Sequence, residues 1–528
     1  MKLVIKRVTG LGLVALAVLL LFGNAQAQKT LTIGMNELPS LLDPPRDWAI
    51  AATWIHMNLF DCLVWRNRAT ADFEPWLATS WKNIDPTTWR MQLREGVTFH
   101  NGEEFNADAV KWTYQRITNA SRAEFITFGQ WAFITDVVIH GPYEVDIITD
   151  KPQPSFLSKM AGTGCGIQAP GAGPAMTPVG DGDYHPVGTG PYSLVSYDQD
   201  DNLVLAANDS YWQGKPDIDT IIWRSIPETS TRIANLLTGD IELSVGVPPQ
   251  DWDRINANDG TSTEEFLTTR VMLLSLRQGG SEDLPDWEGP TSDVRIRQAI
   301  SYAIDGETLI DVVGGLGIPT LSRLTPPTLG WDPLHYNQVG VYDPQRAKDL
   351  LAEAGYDGEE LTFHSSTSWL MQKEVSEVLE AMLEAVGLNI DLQVLDVTTF
   401  REQIYRPNKN EEIYMDALGN SFFDPWIAVR SFEEGRRFRT GWEGSRAAQA
   451  EALIQAGAVN MDPVERGAQM SAVFDIVLQE AIMIPLYQMK DAMGRTSDLE
   501  WSMPLDGFLW MGDAVLNRYA NRLKVWIS

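Results

Sequence analysis

The chain of 528 residues carries 41 Lys and Arg against 71 Asp and Glu, with 44% hydrophobic residues, 19 Trp and 2 Cys. A net charge of −30 repels phosphate backbones and anionic lipid, which argues against a nucleic-acid reader or a basic membrane-surface protein. Two cysteines cannot build a disulfide framework or a Cys-rich zinc module; Cys62 and Cys165 are either one pair or two separate buried thiols.

The N-terminus reads as a secretory leader. Lys2, Lys6 and Arg7 precede the apolar stretch Leu11 to Phe22, and Ala25-Gln26-Ala27 offers small residues for cleavage before Gln28. Twelve residues are too few to span about 30 Å of hydrocarbon, so a signal anchor fits poorly. No Cys follows the stretch to take a lipid anchor, and removal of residues 1–27 leaves a net charge of −33. The expected product is free in the periplasm, without direct membrane insertion. About 500 residues exceed one hydrophobic core, so two or three domains are expected.

Strand and helix signals alternate beyond that point, which predicts an α/β architecture. Asn106 caps a helix, and Gly188-Thr189-Gly190 is a turn, since no Lys-Ser/Thr follows to make a phosphate loop. Thr229 or Ser230 opens a helix that runs to Thr238 and stops at Gly239, ahead of a strand at Ile241 to Val245. Ser292 is placed as the cap of a helix over Asp293 to Asp305 with Ile296, Ala299, Ile300, Ala303 and Ile304 inward. Asp343-Pro344 starts another helix, closed by Gly355. From Met371 to Val386 an apolar stripe of Val375, Val378, Leu379, Met382 and Leu383 faces a sheet; Gly387 ends it and Leu388 to Leu395 alternates as a strand.

Four ordered stretches carry a resemblance. They are Phe73-Glu74-Pro75-Trp76-Leu77 onward through Trp89, Gly96, Gly102 and Phe105-Asn106-Ala107-Asp108-Ala109-Val110; Pro186 to Tyr192 with Asn208 to Pro216; Asp293 to Asp305; and Tyr342 to Tyr356. Together they resemble the solute-binding protein family 5 of ABC importers, which includes peptide-, nickel- and opine-binding receptors. The resemblance implies a periplasmic binding protein-like α/β fold with two lobes, a hinge and an extra inserted subdomain. Lobe I is then 28–60, 168–275 and 489–528, with the insertion at 61–167; lobe II is 276–488. The crossings between lobes are expected near Leu274 to Gln278 and Leu486 to Asp491. A monomer that binds a small or oligomeric solute and docks on the permease transmembrane subunits is implied, with no enzyme activity, cofactor or metal.

The rival class is a secreted glycoside hydrolase, which needs only two carboxylates at a suitable separation. With 71 acidic residues, pairs such as Glu103-Glu104 say little, and no G-x-S-x-G elbow, H-E-x-x-H helix or Walker loop occurs. The six His never pair at i, i+2 or i, i+4, so no local His metal site is indicated.

For the ligand, the resemblance points to lobe II. Peptide-binding members carry an Asp three residues before an acidic-Pro pair; counting back from Asp424-Pro425 reaches Ser421, beside Asn420. Dipeptide receptors carry an Arg in the loop that here reads Ser365-Ser366-Thr367-Ser368-Trp369, with none. Ser366, Ser368, Trp369, Asn420, Ser421, Phe423, Asp424 and Trp426 are therefore the lobe II candidates. Their hydroxyls, amides and rings suit a neutral, sugar-like or amide-rich solute, although Trp369 and Trp426 also suit a core. After the first strand, Asn36, Glu37, Asp47 and Trp48 are the lobe I candidates, and Glu37 or Asp47 can replace the lost carboxylate, which keeps peptides open. A peptide or peptide-like solute is the principal reading; an oligosaccharide or opine is the alternative.

Overall fold

A computed structural model describes residues 28–47, 49–119, 131–172, 186–281, 284–404, 409, 412–436, 438 and 440–517. The expected leader and Trp48 lie outside the described residues. Eleven strands make one central sheet: β1 (Thr30–Met35), β2 (Tyr192–Tyr197), β3 (Asn202–Ala207), β4 (Thr220–Ser225), β5 (Leu243–Val245), β6 (Thr261–Leu276), β7 (Gly317–Pro319), β8 (Glu360–Ser366), β9 (Asn389–Leu395), β10 (Ile413–Gly419) and β11 (Met483–Thr496). Their spatial order is β9-β8-β10-β6-β11-β5-β1-β4-β3-β2, with β7 added on β11. β1 runs parallel to β4 and β5, and β8 parallel to β9 and β10; the centre, where β6 meets β10 and β11, is antiparallel.

The sheet serves two cores. Around β1, β3 and β4, Leu31, Ile33, Leu203, Leu205, Ile221 and Trp223 are fully buried on one side; Ile233, Leu236, Val247 and Ile255 pack on the other. Around β8 and β10, Ile300, Leu350, Val375, Leu379 and Leu383 form one layer, and Phe400, Tyr414, Met470, Phe474 and Val477 the opposite one. Each half is thus a sheet covered on both faces, the arrangement that lets parallel strands be apolar throughout. This is the periplasmic binding protein architecture with its two lobes.

Local chemistry explains most of these elements. The stripe of Val375, Leu379 and Leu383 turns the helix Gln372–Ala385 inward, and Gly387 adopts φ 104° just beyond its end, a conformation a side chain would strain. Asp343 caps Pro344–Ala354 through the Arg346 N–H, and Asn106 caps Ala107–Thr118 through two N–H groups. One segment differs from expectation. Asp293, one residue after Ser292, is the cap, accepting from the Arg295 N–H; the helix ends at Tyr302, and Asp305 caps a second helix, Gly306–Val312. Aspartate at both positions offers an acceptor to the first free N–H groups, so one expected helix becomes two.

A further unit stands beside the first half. Its antiparallel sheet has the order Ala78–Asp85, Thr88–Leu93, Glu144–Thr149, Ile134–Gly141, and packs with the helix Ala107–Thr118 around Met91, Phe105, Tyr114, Trp131 and Ile147. Cys62 and Cys165 are joined by a disulfide at this unit's ends, with their Cα atoms 5.2 Å apart and 103 residues of sequence separation. Next to it the Asp61 carboxylate, 1% exposed, accepts from Trp76 Nε1, Thr189 Oγ1, Tyr211 Oη and Trp212 Nε1 at 2.7–3.1 Å. Burial lifts its pKa to about 6, against the pull of those four donors. Gly188 lies so close to the Leu59 carbonyl that a Cβ would sit 2.1 Å from the oxygen, so this turn has no room for a side chain.

The disulfide closes a loop of about 100 residues, which in the chain-entropy model stabilises by about 4.7 kcal/mol. Cys62→Ala with Cys165→Ala, or full reduction, is expected to lower the urea midpoint by an amount approaching that figure. Equilibrium unfolding with and without reductant checks it, and superimposable curves refute a formed bond.

Candidate functional site

The two long strands β6 and β11 pair from Thr261↔Thr496 to Leu267↔Lys490 and again from Val271↔Gln488 to Ser275↔Met483. Between those runs Thr268, Thr269 and Arg270 stand opposite Met489 alone, a bulge that bends the ladder and re-aims side chains. On one side of it β11 continues the sheet into β5; on the other β6 continues it into β10. A cleft of about 570 Å³ opens at this point. Its walls come from the end of β1 and the helix Ile50–Leu59 in the first half, from the loop 367–371 and the next helix in the second, and from the bulge itself.

Four of the expected residues line this cleft. Asn36 and Glu37 directly follow β1 and are exposed, and Ser368 and Trp369 follow β8. Ser366 lies behind them, buried, with its Oγ 2.8 Å from Ser368 Oγ and 3.1 Å from Gln372 Oε1. Gln372 Oε1 also accepts the Trp369 N–H, and its Nε2 donates to the Met415 carbonyl. The serine-rich loop is therefore held rigid by a buried amide. Asp47 is half-buried and accepts from the Ala49 N–H; burial raises its pKa against that hydrogen bond, and Glu37 adds to the rise.

The remaining candidates gather elsewhere. Asn420 is buried, donates its N–H to the Thr269 carbonyl and accepts the Asp424 N–H, which shapes the turn that follows. Half-buried Ser421 belongs to that turn. Asp424 is 3% exposed, caps the helix Pro425–Val429 through the Trp426 N–H, and takes a bidentate pair from Arg466 at 2.7 and 2.9 Å. Phe423, with φ 49°, lies under the Arg66 guanidinium at 5.0 Å, and Trp426 lies between Lys159 and Arg430 with its Nε1 on Glu433. Arg66 also donates to the Phe422 carbonyl at 2.8 Å. This group thus meets the smaller sheet's unit instead of the cleft.

Sequence reading missed the cleft's charged groups at the bulge. Half-buried Arg270 sits 4.8 Å over the Trp369 ring, whose Nε1 donates to Asp416 at 3.0 Å. Burial lowers the pKa of its guanidinium against the attraction of Asp491 and Asp416. Asp491, on β11, is pushed up by burial, against the Ala492 N–H and Arg270. The expectation of a cleft without an arginine came from the loop 365–369 alone; the cation arrives from a strand nearly 100 positions earlier. Its signal was an arginine at the start of the apolar run Val271-Met272-Leu273-Leu274. Among the described residues no group of three or more His, Cys, Asp or Glu is arranged to hold a metal ion, and no helix is long and apolar enough to cross a membrane.

Comparison with known proteins bears on the family and the fold. The model of the bacterial extracellular solute-binding proteins, family 5 (middle region), matches residues 72–438. The glutathione-binding protein GsiB of Salmonella typhi is 26% identical over 440 residues, which cover 80% of this chain and 82% of that one. Among solved structures, NikA from Brucella suis in complex with Fe(III)-EDTA has a TM-score of 0.80 at 22% identity, covering 92% of this chain and 99% of its own. A dipeptide-binding protein from Pseudoalteromonas sp. SM9913 in complex with Met-Leu has a TM-score of 0.78 at 22% identity, covering 92% and 100%. At such identities the structures establish a shared fold.

The Asp424–Arg466 pair generates a test. Leaving a buried guanidinium without its carboxylate costs about 3–5 kcal/mol. Asp424→Ala is therefore expected to lower the thermal midpoint of the ligand-free protein by several degrees while solute affinity of the folded fraction persists. An unchanged midpoint with lost affinity reverses that assignment.

Proposed function

The chain belongs to family 5 of the bacterial extracellular solute-binding proteins, and from that premise we propose that it holds a short peptide or peptide-like solute in the cleft at the β6–β11 bulge. It is a receptor of an ABC importer; its work is capture and delivery to the permease, with no chemical step. The observation that carries the reading is the cleft's position. Its walls belong to both halves of the molecule, and the sheet passes between them through the β6–β11 ladder, so closing the walls on a solute and bending that ladder are one movement.

The bulge supports a hinge at Thr268–Arg270 on β6 and Met489 on β11, a little before the first expected crossing and within the second. We place lobe I and its insertion, and lobe II, on the two sides of it with the boundaries given above. A volume of about 570 Å³ suits a solute of a few residues. The names of the relatives support a peptide-like compound, since GsiB is a glutathione-binding protein and one structural neighbour holds Met-Leu. Arg270 favours a solute with a carboxylate over a neutral oligosaccharide. Secretion through a leader cleaved before Gln28, a monomeric state and the absence of a lipid anchor complete the proposal.

A thermal-shift screen over di- and tripeptides, glutathione, opines and oligosaccharides tests it. Ligand at 100 times its dissociation constant stabilises by about 2.7 kcal/mol, a shift that is easily read. Peptides or glutathione are expected to raise the midpoint and to be recovered unchanged. Stabilisation by oligosaccharides alone defeats the peptide reading, and turnover of labelled glycans defeats the receptor reading.

A further inference from the structure

Two opposite charges face this cleft without pairing. Arg270 on β6 and Asp491 on β11 are both half-buried and both line it. They attract each other, yet no contact within 4.0 Å joins them. A guanidinium has five N–H donors; none is given to a protein acceptor among the described residues, and the contact Arg270 does make is with the face of Trp369. Stacking on a ring leaves the edges of the planar guanidinium for acceptors in its own plane. Asp491 uses one carboxylate oxygen on the Ala492 N–H at 2.7 Å, and its other oxygen takes no protein hydrogen bond among the described residues.

Several other withdrawn charges among the described residues are used up by protein partners. Asp424 and Arg466 satisfy each other, Arg232 donates to the Ile226 and Gly246 carbonyls and to Thr229, and Asp61 collects four donors. Leaving a half-buried cation and anion side by side, each short of hydrogen bonds, is costly unless something else completes them. The backbone keeps them apart: Asp491 sits in the ladder opposite Phe266, whereas Arg270 lies in the bulge, out of that register.

We propose that Arg270 and Asp491 form a subsite for a zwitterionic solute, with its carboxylate on the Arg270 guanidinium and its ammonium on the Asp491 carboxylate. The inference rests on the receptor reading above and narrows its solute class. It also explains how binding is felt at the hinge, because both groups lie on the two strands that must bend and Arg270 is part of the bulge itself.

Three tripeptide libraries of identical sequences provide the probes: free at both ends, N-acetylated, and C-amidated. After a thermal-shift screen, the best free tripeptide and its two blocked forms are titrated calorimetrically against the full mature chain. On the wild type, either block is expected to weaken binding at least about 30-fold, the low end for truncating one partner of a buried charge pair. Arg270→Ala should cost the free peptide a similar factor yet leave the C-amide unmoved; Asp491→Asn should behave likewise towards the N-acetyl form. Arg270→Lys, which keeps the charge but loses the planar fork, should recover part of the affinity. Blocked forms that bind as tightly as free ones overturn the subsite and leave the peptide receptor standing; so do variants that weaken free and blocked forms equally. If a variant fails to fold, the wild-type series of blocked forms decides. If no peptide binds in any form, the peptide reading fails, and the same comparison with free amino acids and their amides judges the subsite separately: no dependence on Arg270 there overturns it.

Discussion

The β6–β11 ladder is the constraint on which the rest of the molecule depends. A sheet can be shared by two separately packed halves only where strands are long enough to enter both cores, and these two, of 16 and 14 residues, are the longest in the central sheet. Their inner ends are fixed by burial: Val271 to Leu276 and Met483 to Tyr487 disappear between helices on one side, and Ala492 and Met493 on the other. Between those anchors three residues face one, which removes ladder hydrogen bonds where a bend must occur. Arg270 keeps the alternation of Met272 and Leu274 on the second half's side and stands over Trp369 on that same face. The proposed hinge and the proposed binding site thus meet at one local mismatch.

Charge is divided by what completes it. In the small unit and at its contact with the second half, three ionic groups are satisfied internally: Asp61 by two indoles, a phenol and a hydroxyl, Asp424 by Arg466, Arg66 by carbonyls and aromatic faces. Those arrangements hold loops against one another away from the cleft. At the cleft, Arg270 and Asp491 are left short of partners. Ser366, Ser368 and Gln372 bond to one another and to the Trp369 N–H and position Trp369, so the ring acts as a shelf for the guanidinium. A rigid shelf and incompletely bonded charges are what a site needs if the solute is to supply the missing bonds.

Much of this was legible in the sequence where the signal was local. Helix ends could be read because a cap acts on N–H groups two or three residues away, as with Asn106 and Asp343. The exception, at Ser292 and Asp293, came from two competing caps in adjacent positions, which propensity alone does not rank. Asn36, Glu37, Ser368 and Trp369 were reachable because each directly follows a strand, where loops gather at one edge of a sheet. Asp424 offered no such guide, since the partner that engages it, Arg466, is 42 residues away and nothing in either residue's neighbourhood names the other.

The sequence by itself determined the class of protein: a strongly acidic composition, four ordered motifs and alternating strand and helix signals are short-range properties, complete before any chain folds. Tertiary structure decided how distant residues were shared out. It brought Cys62 to Cys165 across 103 positions, turned Asp424 towards Arg466, and carried Arg270 and Asp491, which flank the second half in the sequence, into one cleft. Such choices turn on strand register, where a slip of one residue sends a side chain to the other face, and register is set by the packing of whole cores.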